Sequence, residues 1–163
     1  MTDNQTGQTP VVGAISGRLK GRLRSKPYTI VVTDDQTIFA RTTSAMRKEA
    51  VSAARSGAKV SGAGRLAQAS AQMGASMTFH ERYLEMDIDD ILAEHEKNHA
   101  IANSAISRVK LTPPKTISDN DGRFYEEEPL LKLKTPGKTY KFRLDSHMDY
   151  GETKRLLDTV YHL

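Results

Sequence analysis

From residue 14 to residue 24 small or apolar positions alternate with polar ones. Ile15, Gly17, Leu19, Gly21 and Leu23 share one parity, while Ser16, Arg18, Lys20, Arg22 and Arg24 share the other. Successive side chains on a strand face opposite ways, so the pattern predicts a strand with one small or apolar face and one cationic face. Gly17 and Gly21 predict a bend or bulge within it, and Ser25-Lys26-Pro27 predicts its break. Residues 28–33, YTIVVT, are dense in the β-branched and aromatic types that suit a pleated surface. Asp34-Asp35-Gln36 turns the chain, and residues 37–40 return as the second arm of a hairpin.

Residues 42–98 change period. Thr43 or Ser44 can cap a helix that runs to Arg55, with Gly57 just past its end. In the Ala-, Gly- and Ser-rich stretch 62–74, Ala63, Ala67 and Ala71 recur at every fourth residue. That spacing fits a helix with a small-residue face, or a flexible linker; helix is the expectation. Phe79, Tyr83 and Met86 fall on one helical face. Asp87 then reads as the N-cap of a short helix to about Glu96, with Asp89 and Asp90 at its positive end and Met86 and Ile91 as a hydrophobic staple.

Strand character returns at Ile101. Residues 104–111 predict a strand with a parity break between Ile106 and Val109, ended by Thr112-Pro113-Pro114, and 117–128 read as a polar loop. Leu131, Leu133 and Thr135 then alternate with Leu130, Lys132 and Lys134, and Tyr140, Phe142 and Leu144 with Thr139, Lys141 and Arg143. Pro136-Gly137 between them suits a type II turn, so this is a second hairpin, apolar on one face and cationic on the other. Asp149 and Glu152 have capping-box spacing, and Thr153, Leu156, Leu157, Val160 and Tyr161 form one helical stripe. That stripe must be buried against the sheet. Residues 1–10 are polar and without period, which predicts a flexible tail.

The 163 residues suffice for one domain with a real core. Twenty-four basic against twenty acidic residues leave a net charge of +4, which matters only where it is clustered. With no cysteine, disulfides, thiolate metal sites and a cysteine nucleophile are excluded. No apolar run reaches membrane-span length and the start is unlike a signal peptide, so a soluble cytoplasmic protein is expected.

Arg18, Lys20, Arg22, Arg24 and Lys26 stand on every second residue. On a strand they would lie about 7 Å apart and repel one another, which a partner anion would relieve. The plain alternative is a solvated strand whose charges guard an edge against aggregation. Other constellations are incomplete. His95 and His99 lack a third ligand, and His80-Glu81 has Leu84 where a zincin needs its second His. Asp119, Asp121, Gly122 and Glu128 match calcium-loop positions, but Ile117 stands where the first ligand belongs. No nucleophile elbow or phosphate-binding glycine loop occurs, so no metal, cofactor or catalysis is expected.

A curved basic strand, successive hairpins and a terminal amphipathic helix resemble the pleckstrin-homology (PH) superfold, and most closely prokaryotic PH-like and GRAM-like domains. The segments that carry the resemblance are YTIVVTDDQTIFA at 28–40, NSAISRVKL at 103–111 and LLKLKTPGKTYKFRL at 130–144. It covers residues 11–41 and 99–163. It implies an α+β fold: a partly open β-barrel of two near-orthogonal antiparallel sheets, capped by the C-terminal helix. Residues 11–163 would form this single domain, with a helical insertion at about 42–98 after the third strand. PH domains that bind phosphoinositides carry basic residues on the first hairpin, and Lys20-Gly21-Arg22-Leu23-Arg24 is similar to that pattern. The resemblance implies a non-catalytic binding module for an anionic membrane surface or a protein partner. A self-associating scaffold that pairs through 63–75 is the alternative. Nucleic acid is disfavoured, because no aromatic residue for base stacking lies between the cations.

Overall fold

The computed structural model describes residues 9–163; most of the expected tail, residues 1–8, lies outside the described residues. The strands are β1 (Val11–Leu19), β2 (Lys26–Thr33), β3 (Gln36–Arg41), β4 (His99–Ala102), β5 (Arg108–Thr112), β6 (Lys115–Ser118), β7 (Phe124–Glu127), β8 (Leu130–Thr135) and β9 (Lys138–Leu144). The helices are α1 (Ser44–Val60), α2 (Arg65–Met77), α3 (Ile88–Ala93) and α4 (Tyr150–Tyr161), with a 3₁₀ helix at Phe79–Glu85.

Seven strands form one antiparallel sheet in the order β4-β3-β2-β1-β9-β8-β5, and β6 and β7 pair separately. The α+β class, the antiparallel strands and the terminal helix are as expected; the strands form one seven-stranded and one two-stranded sheet. β1 pairs with β2 along nearly its whole length and with β9 over Gly17–Leu19, so it links the two meanders into one ladder. The sheet is not closed: β4 and β5 are its edges. Pro136-Gly137 joins β8 to β9 as expected, and Gly137 takes the positive φ of +75° that the turn requires.

The core explains the two kinds of hydrophobic pattern. Ile15, Ile30, Val32, Phe39, Leu131, Leu133, Phe142 and Leu144 fill the inner face, and α4 closes it with Leu157 and Val160. Asp149 caps α4 by accepting the Glu152 N–H at 2.7 Å, and the Tyr161 hydroxyl reaches Thr37. On the opposite face of the first meander, Val31, Ile38 and Ala40 pack against Phe79, Tyr83 and Ile91 of the insertion. Strands β2 and β3 are thus buried on both sides, which is why they read as nearly continuous apolar runs. Strands β8 and β9 are covered on one face only.

Several boundaries are corrected. β1 begins at Val11 and stops at Leu19, so residues 20–25 are loop, and Lys26 and Pro27 open β2 instead of breaking a strand. α1 is capped by Thr43, which accepts the Met46 N–H at 3.2 Å, but runs through Gly57 to Val60. α3 ends at Ala93, short of Glu96, and the Asp87 side chain makes no cap hydrogen bond. The strand expected at 104–111 is interrupted by a 3₁₀ turn, Asn103–Ala105, because Asn103 is anchored by Thr37 Oγ1 (2.7 Å) and by donating to the Thr33 carbonyl (2.9 Å). The expected polar loop at 117–128 contains the β6–β7 hairpin. Its Phe124 and Tyr125 are exposed, so no alternation of burial marked it.

Candidate functional site

The register gathers charge at one end of the sheet. Leu19 pairs with Lys26 and with Phe142, Thr135 pairs with Lys138, and Arg108 pairs with Lys134. The end of β1, the 20–25 loop, the β8–β9 turn and the start of β5 therefore share a rim. Residues 19–28, 107–110 and 134–141 contain many cations and no Asp or Glu. Acidic groups sit at the other end, in the Asp34-Asp35 turn, at Glu126, Glu127 and Glu128, and at Asp145 and Asp149. A cleft of about 430 Å³ there is lined by Glu126, Glu128, His147, Asp149 and Tyr150.

The five cations singled out in the sequence divide between two environments. Arg18, on β1, is half-exposed and lies 3.6 Å from Asp145 and 3.7 Å from Glu128. Its charge is largely answered. Arg22 and Arg24 stand in the loop, Lys20 just before them and Lys26 at the start of β2, all exposed. Among the described residues none of these four lies within ion-pair distance of a carboxylate. Leu23, between the two arginines, is 96% exposed. The loop is tightly folded: a Cβ at Gly21 would come within 2.4 Å of the Arg24 carbonyl oxygen, so no side chain fits there without remodelling the loop.

A second group was not assembled from the sequence. On the uncovered face of the second meander Lys110 pairs directly with Lys132, and Lys132 with Lys141. The Lys20 N–H donates to the Lys141 carbonyl at 2.8 Å and so continues the row just past the end of β1. Arg108 and Lys134 lie opposite one another in the next row, beside Thr139. Like charges directly opposite destabilise a sheet. Lys20, Lys132 and Lys141 are visible as polar positions of alternating segments; their alignment with one another and with Lys110 is not, because it depends on register between distant segments.

Where the insertion meets the end of β9, Asp145 accepts from Ser16 Oγ and pairs with Arg47 of α1 at 3.5 Å. The rings of His80 and His147 lie 5.6 Å apart. Burial, and next the neighbouring His147, hold His80 below its ordinary value, which favours its neutral form. His95 and His99 are not brought together on a helix: His95 follows α3 and accepts the Lys97 N–H, and His99 opens β4. Asp119 Oδ1 accepts from the N–H groups of Asp121 (3.0 Å) and Arg123 (2.8 Å), as a turn-forming aspartate does. Among the described residues no three His, Asp or Glu side chains are placed to hold a metal ion, and no helix is long and apolar enough to cross a membrane. No family model matches the chain, and no curated protein matches its sequence.

Proposed function

We propose that the protein is a non-catalytic docking module of PH-like type whose cationic rim engages an anionic membrane surface. The observation that carries this reading is the 20–26 loop, where Arg22, Arg24 and Lys26 flank the exposed Leu23 with no acidic partner among the described residues. Such a tip offers cations to headgroups and one apolar side chain to the acyl boundary. The strand order supports the PH-like part. A β4-β3-β2-β1 meander joins a β9-β8-β5 meander through β1, and the terminal helix lies on the inner face. The insertion covers the outer face of the first meander and leaves the rim open.

Each Lys or Arg near an anionic leaflet is worth about 1 kcal/mol, so the triple substitution R22Q/R24Q/K26Q should weaken binding to phosphatidylglycerol vesicles on the order of a hundredfold. Wild-type binding should fall as salt is raised, since exposed charges are screened beyond about 8 Å at physiological ionic strength. Vesicle binding that ignores both the substitution and the salt would remove this function.

A second reading has its own observation. α2 buries no residue, and its Leu66 and Met73 are 89% and 67% exposed. The helix could therefore pair with its copy in a self-associating scaffold. Light scattering decides between them: an oligomer that L66S/M73S dissociates supports self-association, and a monomeric wild-type chain ends it.

A further inference from the structure

We propose that the outer face of β5, β8 and β9 is a binding site for a ligand carrying several phosphate groups in a chain. Lys110, Lys132 and Lys141 lie side by side on consecutive strands, and Lys20, the first residue past β1, continues the row. At about 4.8 Å between strands the row is roughly 14 Å long, far more than one phosphate occupies. Arg108 and Lys134 form a second row beside it, and with Lys110, Lys132 and Thr139 they line a hollow of about 250 Å³. None of the six cations is ion-paired among the described residues. This is unlike Arg143 on the same face, which Glu127 holds at 3.3 Å.

The chemistry of the lining selects the ligand. Ammonium groups are compact point donors suited to phosphate oxygens, and Thr139 adds a hydroxyl. The aromatic residues of these strands, Tyr140 and Phe142, are turned into the core, so the face offers nothing on which a base could stack. A dense run of phosphates without bases fits it best. The site borders the rim and shares Lys20, Lys134 and Lys141 with it, but it is centred on Lys132 and Lys110 of the open sheet face and uses neither Arg22, Arg24 nor Lys26.

The test is calorimetric titration of the full chain at low salt with linear inorganic polyphosphate long enough to span the row, with orthophosphate as comparison. Polyphosphate should bind measurably and orthophosphate far more weakly. Each lost charge-assisted hydrogen bond is worth about tenfold, so K132Q/K141Q should weaken binding by at least that factor, while R22Q/R24Q/K26Q stays within about twofold of wild type. The substituted side chains lie outside the core, and an unchanged thermal melt shows that both variants are folded. No polyphosphate binding, or binding that K132Q/K141Q leaves intact, overturns the proposal. So does equal affinity for orthophosphate. If polyphosphate fails to bind but phosphatidylglycerol vesicles bind through Lys132 and Lys141, the face belongs to a membrane surface and the phosphate-chain site is wrong.

Discussion

Phe39→Ala should destabilise the protein by about 3–5 kcal/mol, the cost expected for truncating a fully buried phenylalanine. Phe39 is 1% exposed and lies at the centre of an aromatic stack. Its ring sits 4.6 Å from Tyr140 and 5.5 Å from Phe142, centroid to centroid, both nearly parallel to it. The pair residues come from opposite meanders, β3 on one side and β9 on the other, so this stack holds the curled sheet together across its interior. A domain of this size is stable by only about 5–15 kcal/mol, so the loss is a large share of the total. Urea unfolding should show a lower midpoint at an unchanged slope. A loss under about 1 kcal/mol would mean that the stack is not formed, given how buried such a site is.

Tyr83→Ala should cost a similar amount, about 3–5 kcal/mol, but the damage should be local. Tyr83 is fully buried between the 3₁₀ helix and the outer face of the first meander. Its hydroxyl donates to Glu94 at 2.8 Å, and Glu94 also pairs with Arg82 at 2.5 Å. Burial, and then Glu94, push the phenol well above its ordinary value, so it remains a donor at every physiological pH. Hydrogen exchange should accelerate through residues 79–93 while β8 and β9 stay protected. Tyr83→Phe keeps the volume and should cost only about 1–2 kcal/mol, the price of a partly buried carboxylate losing one donor. Equal acceleration of every strand in Tyr83→Ala would show that the insertion and the sheet unfold as one unit.

The second hairpin and the terminal helix were legible because each has one face on the core and one in water. The first hairpin was legible for a different reason. Ile30, Val31 and Val32 are all buried, alternately against the inner core and the insertion, and so form an unbroken apolar run. What covers the outer face could not be read from composition. The long helices α1 and α2 contain no fully buried residue; Met46 and Ala50 of α1 pack only at the margin, and the cover is supplied by Phe79, Tyr83 and Ile91 from short elements.

The first basic strand was overextended because Gly21 and Leu23 continue the parity of Ile15 and Leu19 past the strand end. Gly21 is small to allow the close approach of the Arg24 carbonyl, and Leu23 is in solvent. The candidate cations were therefore found, but as a line on one strand instead of a loop with flanking strand ends. Alternation alone places Ser16 and Arg18 on an open cationic face, yet Asp145, more than a hundred residues away in the chain, accepts from one and pairs with the other. Long-range partners of this kind carry no local signal.

The rim built from the 20–26 loop and the β8–β9 turn is what we propose meets an anionic surface. Hydrogen exchange of the full chain with and without phosphatidylglycerol vesicles tests it most directly. Slowed exchange confined to 20–26 and 134–141, reversed by high salt, is the expected result. Slowing in α2, or no change anywhere when vesicles are in excess, would contradict it.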